Sequence, residues 1–233
     1  MIKKLVVVSS VLSISLLSGC ASVPDVNAPH SFWKNKSQTV AIAKTPAANG
    51  KAGFYPEGAQ GILDIAINEG MNQTVKKELA QFNGQKILIT AQQQFLTALR
   101  QYHINAKVVD TLDTTHLKAS KLPPAKFSTK DYRQLSIKYG NDKLLTLTVD
   151  QLGEVREYYS FIPLGAPQAV SAMTGRLVDL KNNRIIWRHH AKTITSIEKP
   201  VKDPRNLYAA IDRASQDTIK ELVQNFVINA KGD

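Results

Sequence analysis

The chain has one cysteine in 233 residues, Cys20, so no disulfide can close within it. With 12 glycines and 10 prolines it is neither collagen-like nor low-complexity, and 43% hydrophobic residues are too many for a largely disordered chain. Acidic residues are in short supply, 19 against 30 basic ones, which leaves a formal charge of +11. After residue 17 no apolar run approaches the roughly 20 residues that a transmembrane helix needs. Signatures of chemistry are also missing. There is no Gly-x-Ser-x-Gly elbow, and Asn49-Gly50-Lys51 lacks the first glycine and the Ser/Thr of a phosphate loop. His30, His103 and His116 fit no zinc spacing. His189 and His190 are adjacent on an expected strand, where neighbouring side chains point to opposite faces and cannot share an ion. Asp113 and His116 could form two members of a nucleophilic set, but an envelope hydrolase would also need a deep pocket joining them to a hydroxyl. Glu154 and Glu157, three apart on a strand, separate across its faces. The sequence thus predicts no catalytic residue, metal or cofactor, and a protein that is not an enzyme.

The N-terminus is more informative. Met1-Ile2-Lys3-Lys4 precedes an apolar run from Leu5 to Leu17, followed by Ser18-Gly19-Cys20. A positive start, a short apolar run and small residues before a cut form a secretory signal. Thirteen residues make a helix of about 20 Å against a hydrocarbon core of roughly 30 Å, too short for a permanent span. Leu17-Ser18-Gly19-Cys20 resembles the lipobox of bacterial lipoproteins. That resemblance implies cleavage after Gly19, a diacylglycerol on the Cys20 thiol and an acyl chain on its freed amine. Two or more chains, at ~0.8 kcal/mol per buried methylene, give stable attachment. Ala21, where an aspartate tends to retain such proteins in the inner membrane, points by the same resemblance to the outer membrane, periplasmic face. Losing Lys3 and Lys4 with the leader lowers the charge from +11 to +9. The expected organisation is therefore signal peptide 1–19, lipidated cysteine and flexible tether 20–31, and an α/β domain 32–230.

Within that domain, alternation at Gln38–Lys44 predicts a strand with Val40 and Ile42 on one face. Residues 45–61 read as a loop, and 62–82 as a helix stacking Met71, Val75, Leu79 and Phe82. A second helix carries Leu88, Ala91, Phe95, Leu99 and Tyr102, and a strand follows at His103–Asp110. Ser128 with Asp131 suggests a capping box for a helix ending at Gly140. Lys143–Leu152 and Val155–Ile162 read as two strands. Asn182-Asn183 then predicts a two-residue hairpin turn that sets Leu180 opposite Ile185 and Val178 opposite Trp187. Asp203-Pro204 opens a last helix with the stripe Leu207, Ile211, Ala214, Thr218, Leu222 and Phe226. Strands alternating with helices and ending in a hairpin predict one mixed parallel and antiparallel sheet with helices packed on it.

The lipobox, the Val40–Ile42 and Lys143–Val149 strands, the hairpin Leu177-Val178-Asp179-Leu180 … Arg184-Ile185-Ile186-Trp187 and the last helix together resemble a group of periplasmic lipoproteins. Their domain is similar to the N-terminal domain of TolB, an anticodon-binding-like α/β fold. The group includes CsgG-type secretion lipoproteins and LpoB-type activators of peptidoglycan synthases. The resemblance implies protein contacts rather than chemistry. Two stretches are candidate contacts: the basic hairpin with Arg184, Arg188 and Lys192, and the aromatic connection with Tyr158, Tyr159 and Phe161. The function expected is a non-catalytic outer-membrane lipoprotein that binds a protein partner in envelope assembly or secretion. The alternative is binding of peptidoglycan or another anionic surface, or regulation of wall synthesis. Export removes the protein from nucleic acid.

Overall fold

The computed structural model describes residues 24–45, 51–109, 111–199 and 203–230. Gly19, Cys20 and the signal lie outside them, as do residues 46–50 of the expected loop. In chain order the elements are α1 (His30–Lys34), β1 (Thr39–Lys44), β2 (Gly53–Ala59), α2 (Ile62–Met71), α3 (Gln73–Leu79), α4 (Gln85–Gln101) and β3 (Asn105–Val108). They continue as α5 (Leu135–Tyr139), β4 (Lys143–Tyr159), β5 (Ile162–Pro163), β6 (Gln168–Asp179), β7 (Ile185–Ser196) and α6 (Pro204–Phe226).

One seven-stranded mixed sheet runs β3-β1-β4-β6-β7, with β2 and β5 pairing on the far half of β4. The expected fold class is the one observed. β1 is parallel to β3 and β4, while β6 is antiparallel to both β4 and β7. Period-2 alternation gives β1 two buried faces. Val40 and Ile42 enter the main core, and Ala41 and Ala43 a smaller one on the opposite side. The main core lies under α4 and α6 and closes on aromatic rings: Trp187 packs against Phe226 at 4.8 Å, and Trp33 of α1 against Phe226 at 5.0 Å. Every residue of the expected α6 stripe is buried, and Asp203 caps the helix by accepting from the Arg205 backbone N–H.

Several expectations change. The stretches read as two strands, Lys143–Leu152 and Val155–Ile162, form one 17-residue strand, β4. A bulge between Val149 and Gln151 leaves Asp150 unpaired. It shifts side-chain parity, so Leu152 rejoins Leu145, Leu147 and Val149 in the main core. β2 occupies part of the expected loop. Its Gly-Phe-Tyr-Pro-Glu-Gly-Ala sequence has poor strand propensity, and it is held as an edge by parallel pairing to residues 153–159 of β4. The 62–82 helix divides at Asn72, whose side chain donates to the Asn68 carbonyl and the Tyr158 hydroxyl. The hairpin register also differs: Val178 pairs with Ile185 and Leu177 with Trp187, so Leu180 falls in the turn. Asn183, at φ +64°, is buried there, and its side chain donates to the Ser128 and Lys130 carbonyls and accepts from the Tyr132 N–H. Those long-range bonds set a longer turn than two adjacent asparagines imply. Asp131 does not form a capping box; its carboxylate pairs with Arg133 at 2.6 Å, and α5 begins only at Leu135.

Pro24–Ser31, expected to belong to a free tether, lie against the body. Val26 exchanges two 2.8 Å backbone bonds with Arg188, Ala28 is buried, and α1 inserts Phe32 and Trp33 into the core.

The β2–β4 pairing depends on Gly153, at φ +141°, where an added Cβ would stand 2.0 Å from the Gly53 carbonyl oxygen. Gly153→Ala is expected to cost about 1–3 kcal/mol in backbone strain alone, with the collision adding to it. A lower urea midpoint is the expected measurement, and a wild-type midpoint would refute this account of the bend.

Candidate functional site

The basic hairpin residues prove to have three different surroundings. Arg188 is 4% exposed. Its guanidinium donates to the carbonyls of Pro24, Pro124 and Ala125, so it clamps the N-terminal segment and a loop onto β7. Desolvation, then the neighbouring Arg176, pulls its pKa below the usual arginine value. As a surface contact residue Arg188 is therefore corrected to a structural clamp. Lys192 is ion-paired with Glu57 at 3.0 Å. Arg184 is exposed, and its guanidinium has no partner among the described residues. It borders a groove of about 520 Å³ with Phe32, Asn35, Gln38, Lys143 and Asp179. Lys143 and Asp179 neutralise one another at 3.1 Å, which leaves Arg184 as the unmatched charge at the rim.

The aromatic stretch divides in the same way. Tyr158 is 1% exposed, accepts a hydrogen bond from Asn72 at 3.1 Å and packs edge-on against Phe54, so it is a core residue rather than a contact residue. Tyr159 is 65% and Phe161 49% exposed, and Ile162 and Leu164 beside them are exposed too. This turn lies at the end of β4 opposite the Arg184 groove, since Lys143 begins the strand and Tyr159 ends it.

Helix α2, bound to that turn, is the first half of the helix expected over 62–82 and is not among the candidate contacts read from the sequence. Asp64, Asn68 and Asn72, at i, i+4 and i+8, face inward. Asp64 accepts from the Ser160 hydroxyl at 2.7 Å, and Asn68 donates to the Ser160 carbonyl at 3.0 Å. The Gly61 N–H and the Ser160 hydroxyl hold the Asp64 carboxyl below the usual aspartate value. The apolar residues Leu63, Ile67 and Met71 consequently face out, so Met71 does not join the buried stripe expected of it. Polar spacing of four was the available signal, but periodicity does not say which stripe meets the body.

The titratable groups are arranged as follows. Glu154, 3% exposed, pairs with Arg156 at 2.8 Å, whereas Glu157 is exposed. Burial pushes the Glu154 carboxyl up, against the pull of Arg156. Asp113 and His116 meet at 3.3 Å on an exposed loop, and the Thr115 hydroxyl and backbone N–H hold Asp113 below its usual value. His189 and His190 point to opposite faces, the first to Asp25 and Glu221, the second to Asp150. Among the described residues, no group of three or more His, Cys, Asp or Glu side chains could hold a metal ion.

No protein-family model matches the chain. No curated protein matches its sequence. Solved structures with a similar fold include a PelC dodecamer from Paraburkholderia phytofirmans, 9% identical over 87% of this chain and 96% of that one, with a TM-score of 0.39. Protein XCC0632 from Xanthomonas campestris is 11% identical over 83% and 86%, with a TM-score of 0.44. A lipoprotein from Neisseria meningitidis is 12% identical over 79% and 99%, with a TM-score of 0.34.

Two outcomes test these assignments. Arg188→Glu buries a carboxylate among carbonyl acceptors and is expected to cost about 3–5 kcal/mol, or roughly 10 °C in Tm for a chain of this size. Arg184→Glu is expected to stay within about 0.5 kcal/mol of wild type, and equal melting of the two variants would reverse the assignment. The second outcome concerns Glu154. Its folded pKa lies above the ordinary 4.5, so its contribution to stability is full below that value and is lost as pH rises through the folded value. Glu154→Gln, which keeps an acceptor for Arg156, is expected to flatten that decline in urea midpoints between acid and neutral pH. The same decline in variant and parent would contradict it.

Proposed function

We propose that this chain is a non-catalytic outer-membrane lipoprotein, held on the periplasmic face by acyl chains on Cys20, that binds a protein partner in envelope assembly or secretion. The Leu17–Cys20 sequence supports the anchor. With Pro24 bound to Arg188, the chain between anchor and body shortens to the four residues from Cys20, at most ~14 Å when extended. The domain is thereby held close to the bilayer.

The observation that carries the partner reading is the groove beside Arg184. An unneutralised guanidinium borders an apolar wall containing Phe32 and Ile185, at the end of the sheet away from the β4–β5 turn. Arginine with an apolar core is the composition of energetically important interface sites. The excess of basic over acidic residues supports a second reading, attachment to peptidoglycan or another anionic surface.

A photo-crosslinking residue at position 35 or 182, both on the groove, tests the proposal in intact cells. The expected result is one discrete protein adduct, lost in Arg184→Glu and weakened in Cys20→Ser. No adduct from either position would overturn the partner reading. Retention on purified sacculi that collapses with modest salt would favour the anionic surface, because exposed charges are screened over ~8 Å at physiological ionic strength.

A further inference from the structure

We infer that α2 and the β4–β5 turn form a second, non-covalent membrane contact, in which the Leu63–Ile67–Met71 stripe lies in the lipid interface. This inference rests on the proposal that Cys20 carries the anchor.

Helix α2 has its apolar side turned outward. Leu63 is 73% and Met71 61% exposed, while Asn68 is fully buried. The orientation is fixed by named bonds. Asp64 accepts from the Gly61 N–H and the Ser160 hydroxyl, Asn68 donates to Gln60 and to the Ser160 carbonyl, and Asn72 donates to the Tyr158 hydroxyl. Rolling the helix to bury its apolar stripe would break the bonds to Ser160 and Tyr158. The stripe offers a partner no polar side chain, since Ala66 and Gly70 are its other members. Beside it the turn exposes Tyr159, Phe161, Ile162 and Leu164.

The path of the chain identifies the occupant. Val26 pairs antiparallel with Arg188, so the segment read backward from Val26 to Pro24 heads along β7 toward Ser196. β7 and β4 are both antiparallel to β6, so they run the same way, and β4 ends at Tyr159. The chain therefore leaves the body for Cys20 toward the end of the sheet that carries the apolar turn. Three residues, 21–23, separate Pro24 from the cysteine, a reach of at most ~14 Å, so an acylated Cys20 holds the bilayer on the side of the body toward which the chain exits. An apolar helical face beds into the boundary between headgroups and acyl chains, and tyrosine is enriched at that level. At ten residues α2 is about 15 Å long, a length that lies on a bilayer and does not span it.

The test uses the full-length lipidated protein in vesicles of phosphatidylethanolamine and phosphatidylglycerol. With Cys20 acylated, Met71→Cys supplies one free thiol for a polarity-sensitive dye, and Ile137→Cys, on an exposed position of α5, is the control. The expected result is a blue-shifted dye at position 71, quenched by spin labels on the acyl chains, and a dye in water at position 137. Adding Leu63→Ser and Ile67→Ser is expected to remove most of the quenching at 71 while the protein still floats with the vesicles and melts as before. A dye in water at 71 on floated protein overturns the inference. So does a blue shift that rises with protein-to-lipid ratio and persists in detergent, which would assign the stripe to a second copy. The anchor is read separately: an intact mass showing an unmodified Cys20 thiol overturns the lipoprotein reading. With Cys20→Ser added, the dye at 71 then reports whether the patch alone binds vesicles.

Discussion

Strand β4 must pair with four different strands and still keep one face in a single core, and a straight 17-residue strand cannot do this. Two local devices resolve the conflict. The bulge at Asp150 changes parity, so that apolar residues before and after it enter the same core. Gly153 then allows the backbone of β2 to approach where any side chain would collide with Gly53. The last half of β4, the β4–β5 turn and helix α2 all hang on this bend. The unpaired Asp150 is satisfied on the opposite face, where it accepts from the Thr174 hydroxyl at 2.6 Å and meets His190.

The result is a domain with two chemically different ends. At one, the start of β4 and the β6–β7 turn border a groove with an unmatched arginine. At the other, an inverted helix and an apolar turn face outward. Several charged groups are neutralised in pairs: Lys143 with Asp179 in the groove, Lys192 with Glu57 and Arg156 with Glu154 along the sheet. The basic bias of the composition therefore does not translate into one continuous basic hairpin face. Of the three candidate basic residues, Arg188 holds the fold together, Lys192 is paired with Glu57 and Arg184 is left exposed.

The N-terminal segment from Pro24 onward lies against the body. Because Arg188 and Val26 fasten it along β7, its direction is fixed as well as its reach. A proline-containing segment without periodicity reads as free chain, and here it is ordered by a residue more than a hundred and fifty positions away. No local pattern reports a bond at that separation.

By itself the sequence determined the elements whose signals are local. Alternation marked β1, the 3.6-residue stripe marked α4 and α6, and Asp203-Pro204 marked the start of the last helix, because side-chain direction follows from backbone period. It also determined the Leu17–Cys20 pattern on which the proposed anchor rests. Tertiary structure alone decided β2, which has no strand signal and exists because β4 offers it an edge, and the hairpin register, which the buried Asn183 side chain controls. It decided as well which basic and aromatic residues reach solvent. Arg184 and Arg188 are four apart, Tyr158 and Tyr159 adjacent, and in each pair one is buried and the other exposed. A sequence period sorts residues onto faces, but which face meets protein and which meets solvent depends on neighbours brought from elsewhere in the chain. That is why α2 carries a plain amphipathic pattern whose orientation only the bonds to Ser160 and Tyr158 settle.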